Sequence, residues 1–255
     1  MLVCSAPGVF AGDSLHQHVT VGRGARVLLA SQSALQLHPA EAPEAATMHY
    51  DYHVAEGGEL HCQWDPMIPF AGARLLQRFE LRIAGNSRFY WSDAMVSGRV
   101  GRGEAWRFES IDHELRFVVD DSLRYLERYN VRLTAFAKAT AVRRSFSGGG
   151  RADATTVPVP PAERRPSAPW MAGGAHYAGS AIVHHEAASV DVAERLHRDL
   201  NGIGEVAAAV DLIEPALMIG RLLATGVAPF ARGRSRLREV VLATVFGNPQ
   251  LVVRR

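Results

Sequence analysis

A chain of 255 residues that is 47% hydrophobic carries enough apolar side chain to bury a sizeable core, as one large domain or two small ones. Lys plus Arg number 28 against 26 Asp plus Glu, a formal charge of +2, and this balance excludes a nucleic-acid binder, which needs a concentrated basic face. Cys4 and Cys62 are too few and too far apart for a disulfide framework and fit a reducing cytoplasm.

Met1 to Gly12 lacks the basic start and long apolar centre of a signal peptide, and no apolar run nears the roughly 20 residues of a membrane span. The expectation is therefore a cytoplasmic protein without a membrane segment. From Met1 to about Phe136 the pattern is that of strands. Leu15, Val19 and Val21 alternate with His16, His18 and Thr20; Phe79, Leu81 and Ile83 alternate with Arg78, Glu80 and Arg82; Trp106 and Phe108 alternate with Arg107 and Glu109. Gly57-Gly58, Gly85-Asn86-Ser87, Gly101-Arg102-Gly103 and Asp120-Asp121-Ser122 read as turns between them. Many short strands with close turns predict a sandwich, a barrel or a β-helix-like stack, and periodicity does not choose among these. No internal repeat is evident.

Residues 143–169 break the pattern with Gly148-Gly149-Gly150 and a run of prolines, which reads as an exposed mobile loop. Residues 170–255 are mixed. Asp191 and Glu194 predict a capping box for a helix that buries Val192, Leu196 and Leu200 and stops at Asn201-Gly202. Glu205 to Ile213 is an apolar run of strand length. Pro215 suits the first turn of a helix leading to Leu222 and Leu223, and Ser235 the cap of a last helix burying Leu237, Val240 and Val241. The predicted organisation is a β-rich core over 1–142, a loop over 143–169 and an α/β portion over 170–255 that packs on the core. Late arginine clusters, such as Arg232 to Arg238, read as solvated charge or as a docking face for an acidic partner.

Chemistry-bearing residues are scattered. In Leu60–Asp65, His61 and Cys62 point to opposite faces of an extended strand and do not chelate one ion. His16 and His18 share a face, as do His49, Asp51 and His53; such pairs bind a divalent ion weakly and read more simply as surface or packing histidines. His184-His185-Glu186 has no HExxH spacing, and Gly98–Gly103 lacks the Lys-Ser/Thr of a nucleotide loop, so any NTP-driven step falls to a partner. No Gly-x-Ser-x-Gly elbow is present.

One constellation remains: Asp65-Pro66-Met67-Ile68-Pro69-Phe70-Ala71-Gly72-Ala73, followed by Gly98-Arg99 and Gly103-Glu104. With Gly12-Asp13, Gly24–Leu29 and Leu126-Glu127-Arg128, it resembles the urease accessory protein UreD (UreH) family, over Gly8 to about Leu133. The resemblance implies a mainly β fold with helix-like coiling and a small α/β C-terminal portion. It implies a non-enzymatic scaffold that joins apo-urease to UreF-type and UreG-type (GTPase) accessory proteins, with no cofactor held stably and nickel bound at most transiently. By position, Asp13, Asp93 and Glu104 would face an internal nickel path, Arg99 and Arg128 would fix those carboxylates, and Met67, Ile68 and Phe70 would anchor an interface. The likeness is divergent at Ala30–Gln36, at His61 and at Gln63-Trp64. Met1 falls almost on the Gly-Asp turn, which implies either a misplaced start codon or a shortened variant with an exposed sheet edge. The rival reading is a β-helical or cupin-like metalloenzyme that binds one metal through His49, His53 and His61.

Overall fold

The computed structural model describes residues 8–39, 44–133 and 174–247. The predicted loop over 143–169 lies outside them. The alternating runs around Val19 and Leu81 are strands within a series of short ones: β1 (Ser14–Val21), β2 (Arg26–Ala30), β3 (Leu35–Leu37), β4 (Ala46–Val54), β5 (Glu59–Gln63), β6 (Met67–Pro69), β7 (Arg74–Ile83), β8 (Arg88–Val96), β9 (Ser110–Val119) and β10 (Ser122–Arg132). After these come β11 (Tyr177–His184), helix α1 (Val190–Asn201), β12 (Val206–Glu214), β13 (Leu217–Ala224) and helix α2 (Val227–Thr244).

The chain winds from sheet to sheet. Strands β1, β4, β7 and β9 stack in parallel, with β10 antiparallel at the edge. Strands β2, β5 and β8 stack in parallel in the facing sheet, and short β3 lies on β6 at one end. This is a β-solenoid, the coiled member of the alternatives that periodicity left open. The facing sheet does not end at β8: β11, β13 and β12 continue it antiparallel, so the C-terminal strands are hydrogen-bonded into the same sheet. Helices α1 and α2 cover its far side.

Burial follows this layering. Between the sheets pack Tyr52, Phe79, Leu81, Phe89, Trp91 and Phe117. Under the helices pack Tyr90, Val183, Leu196, Met218, Phe230 and Val241. A third cluster, with Leu37, Met48, Met67, Met95 and Phe108, fills the end beneath β3 and β6. Each fully buried aliphatic or aromatic side chain contributes about 2 kcal/mol relative to exposure, and the strand parity decides which core it joins. Arg234 of α2 ties the helical layer to the solenoid, donating to the Trp64 carbonyl at 2.7 Å and to Ser92 Oγ at 3.2 Å.

Against the expectation of no internal repeat, the tripeptide Phe-Ala-Gly, present twice in the sequence, marks a repeated turn. Phe10-Ala11-Gly12 and Phe70-Ala71-Gly72 make the same turn, with Gly12 and Gly72 at φ of 79° and 80° and hydrogen bonds of 3.1 Å from Asp13 to Phe10 and from Ala73 to Phe70. At this corner successive coils stack side chain on side chain. The Phe10 and His38 rings are 4.2 Å apart, His38 and Phe70 4.8 Å, and the Arg99 guanidinium lies 4.0 Å over Phe70. These spacings are close to the ~4.8 Å between neighbouring strands, as expected of a ladder of equivalent positions.

Several local expectations are corrected. Pro215-Ala216 is a tight turn with Ala216 at φ 68°, and Leu217–Ala224 is β13, its side chains alternating between two cores. Helix α2 begins at Val227 rather than at Ser235; Pro229 sits in its first turn, where backbone N–H groups lack helical partners anyway. Helix α1 is capped by Ser189, whose side chain accepts from Val192 N, and Asp191 lies in the first turn. Trp106 and Phe108 are not in a strand: Trp106 has φ 57°, and its N–H bonds Ser97 O.

Candidate functional site

Strand parity assembles a polar tract inside the apolar interior. On the extended sheet, Asp93, Ser180 and Arg221 are direct neighbours across β8, β11 and β13. On the other sheet, Gln77, His113 and Tyr129 are neighbours across β7, β9 and β10, and Glu127 lies two residues along from Tyr129 on the same face. The two rows face each other. Arg221 pairs with Glu127 at 2.8 Å and donates to the Tyr125 hydroxyl. Ser180 donates to Asp93, and His113 Nδ1 bonds Gln77 Oε1 at 2.9 Å.

Burial dominates the electrostatics here. It holds the His113 imidazole down at about 4, against the opposing pull of Asp93. It also raises the Glu127 carboxyl above its ordinary range, although Arg221 opposes the shift. Glu127 Oε2 is buried and has no protein hydrogen bond among the described residues. A cavity of about 1920 Å³, lined by Leu29, Met48, Gln77, Asp93, Glu127 and Arg221 among others, runs between the sheets along this tract. Ser180 donates to a carboxylate and His113 is committed to an amide, so this tract contains no imidazole-activated hydroxyl of the kind that nucleophilic catalysis uses. What the tract offers is carboxylate and hydroxyl oxygen at low density, a set that suits a hard or borderline cation held loosely.

Of the five residues expected on an internal path, Asp93 has its side chain in this tract, and Arg128 borders the cavity with its guanidinium turned outward. Asp13 instead closes its own turn, its Oδ2 accepting from Phe10 N at 2.8 Å. Arg99 and Glu104 do pair, bidentately, with Nε to Oε2 at 2.7 Å, and the guanidinium holds the Glu104 carboxyl below the usual range. They sit, however, at the stacked corner beside Phe70 and Ala71. Arg128 points to the outer face and pairs with Glu114 at 2.6 Å, because it is one residue out of phase with Glu127. Among the expected interface anchors, Met67 is 7% exposed in the end core, Ile68 is half-buried, and Phe70 is sandwiched in the corner stack. Met67 is therefore a core residue, fixed there by the parity of β6.

The rival metal trio does not converge. His49 and His53 lie on the outer face of β4, whereas His61 is buried under the helical layer, 2.9 Å from Glu59 and with its ring tilted against that of Phe246 at 4.6 Å. Burial lowers the His61 imidazole despite Glu59, and Cys62 faces the opposite core with its thiol pushed up by complete burial. Sequence reasoning missed Glu127, Arg221, Ser180, His113 and Gln77. The available signal was a lone charge inside the apolar run Leu217–Ala224 and a carboxylate in phase with Tyr125 and Tyr129.

The sequence model of the family described as UreD urease accessory protein matches residues 1–255. A urease accessory protein UreD of Sorangium cellulosum is 32% identical over 183 residues, covering 66% of this chain and 58% of the relative. One from Deinococcus radiodurans is 29% identical over 197 residues, covering 76% of this chain and 71% of the relative. A urease accessory protein UreH of Helicobacter pylori is 25% identical over 129 residues, half of this chain and 48% of that one. The match thus spans between about half and 71% of these relatives' own length. With a β-solenoid that carries the Pro-rich corner and the Arg99–Glu104 turn, and a family match along the entire sequence, the chain belongs to the UreD family of urease accessory proteins.

Proposed function

We propose that this chain is a maturation scaffold that joins apo-urease to UreF-type and UreG-type (GTPase) accessory proteins, and that nickel ions cross it along the interior tract of Asp93 and Glu127. The compartment proposed is the cytoplasm; among the described residues no helix is long and apolar enough to cross a membrane. The observation that supports the path is a cavity between the sheets that Asp93 and Glu127 line together with Gln77 and Arg221, with one Glu127 carboxylate oxygen buried and without a hydrogen-bond partner among the described residues. A cage of thiolates or imidazoles would hold nickel too tightly to pass it on. The stacked corner supports the scaffold role: prolines at 66 and 69 and the bidentate Arg99–Glu104 pair fix a rigid edge, with Phe10 43% exposed at its end.

The test is co-expression with urease and the other accessory proteins. Asp93→Ala and Glu127→Gln are expected to leave the accessory complex intact on pull-down and to lower both the nickel content and the activity of urease. Arg128→Ala, on the outer face, is expected to change neither. Normal nickel loading in the Asp93 and Glu127 variants rejects the path; failure of the wild-type chain to co-purify with any of the partners rejects the scaffold.

A further inference from the structure

The outer face of the solenoid carries a second polar arrangement that the interior tract does not use. Parallel pairing sets His18 of β1 directly beside Asp51 of β4, and His53 follows Asp51 two residues along on the same face. Asp51 sits between the two imidazoles: its Oδ2 is 3.2 Å from His18 Nδ1 and its Oδ1 is 3.0 Å from His53 Nε2. One ligand atom from each of the three falls within 4.8 Å of the others. Donor atoms around a divalent zinc-like ion stand roughly 3–4 Å apart, so a small turn of exposed rings closes the set. Thr20 Oγ1 lies 3.1 Å from His18 Nε2, an outer contact that orients the ring with Nδ1 toward Asp51.

The charges nearby leave this carboxylate available. Arg82, next to His53 across the strands, turns away to Glu80 at 2.6 Å, and Arg78 turns to Asp112 at 2.7 Å. Glu80 is engaged by Arg82 and also approached by Arg116 at 3.5 Å. Cationic side chains on this face are thus drawn toward β7 and β9, and the β1–β4 edge presents four imidazoles and one carboxylate: His18 and His53 flank Asp51, while His16 and His49 stack on each other 5.1 Å apart.

We propose that His18, Asp51 and His53 form a surface site for one late first-row divalent cation, Ni²⁺ or Zn²⁺, bound reversibly with water completing its coordination. Two imidazoles with one carboxylate suit these ions and not Mg²⁺, which prefers an all-oxygen octahedron. The site rests on the outer-face geometry and not on the interior route proposed above.

Calorimetric titration of the purified full chain with NiCl2, and separately with ZnCl2, tests it. One equivalent is expected to bind, with MgCl2 giving no competing heat. His18→Ala, Asp51→Asn and His53→Ala are each expected to weaken that equivalent about tenfold or more, with the circular dichroism spectrum unchanged because all three side chains are substantially exposed. Asp93→Ala, in the interior, and the His16→Ala/His49→Ala double variant are expected to leave it within about twofold. No resolvable binding to wild type, or equal binding by wild type and the three single variants, overturns the site.

Discussion

At the scale of residues, the chemistry of this chain is decided by parity. Glu127 and Arg128 are adjacent in sequence and lie on opposite faces of β10, one in the interior tract and one in solvent. His113 shows the energetic side of the same rule. It lies in phase with Ile111, Leu115 and Phe117, so its ring is buried and held at about 4 against the usual 6.5. Above about pH 6.5 both folded and unfolded chains carry it neutral. Between there and about pH 4 only the unfolded chain takes the proton, so stability is lost as the pH falls, by about 3 kcal/mol in total at ~1.4 kcal/mol per pH unit. Urea denaturation of wild type and His113→Asn at several pH values checks this. The wild type is expected to lose about 3 kcal/mol more than the variant across that window. Other buried histidines, His61 and His184, shift the same way but are common to both proteins and cancel in the comparison. Parity also explains how much of the site was legible. Asp93 could be picked only by its position in the family resemblance, and its partners Ser180 and Arg221 are 87 or more residues away, joined to it by the pairing of β8, β11 and β13.

At the scale of elements, strands were legible and their stacking was not. Alternation marks β1 and β7 plainly, since each has one wet and one dry face, but it also picks out residues 106–109, which precede β9 and are not a strand. It misleads where both faces are dry: Leu217–Ala224 lies between two cores, so its apolar run reads as well for a helix as for a strand. The corner repeat has only a short echo in the sequence, Phe-Ala-Gly at 10–12 and again at 70–72; its other members, His38 and Arg99, are of unlike type and join the stack only once the coils are wound. Its geometry yields a sharp prediction. Gly98 has φ +135°, and a Cβ there would lie 2.5 Å from the Glu104 carbonyl oxygen and 3.2 Å from that of Pro69. Gly101, in the same turn, has nothing within 4 Å. Gly98→Ala is expected to cost at least about 2 kcal/mol and to break the Arg99–Glu104 pair, whereas Gly101→Ala changes stability by no more than about 0.5 kcal/mol. Thermal melts of the two variants side by side read the difference; equal melts would mean that the corner yields freely.

At the scale of the whole molecule, Arg221 and Glu127 bridge the two faces of the solenoid, β13 of the extended sheet to β10 of the other. Such a buried pair is costly to break from one side and often dispensable when both partners are replaced by apolar groups. The two single deletions differ in kind, because a carboxylate can take up a proton while a guanidinium cannot give one away. Burial already raises the Glu127 carboxyl, and removing Arg221 removes the charge that opposes that shift. In Arg221→Met the Glu127 carboxyl of the folded chain is therefore raised further, so above about pH 4.5 it keeps its proton longer than the unfolded chain does. The folded state binds the extra proton, so its stability falls as the pH rises above the ordinary carboxylate range, by up to ~1.4 kcal/mol per pH unit until the folded carboxyl also ionises. Glu127→Leu has no such carboxyl, and its deficit is expected to stay level over the same range. The double variant Glu127→Leu/Arg221→Met is expected to recover most of the loss at pH 7, where the Arg221→Met deficit is largest, while still failing to load nickel if Glu127 is on the path. Urea denaturation of the three variants at pH 5 and pH 7 separates these behaviours. A pH-independent deficit in Arg221→Met would show that Glu127 stays ionised there, held by something other than the guanidinium.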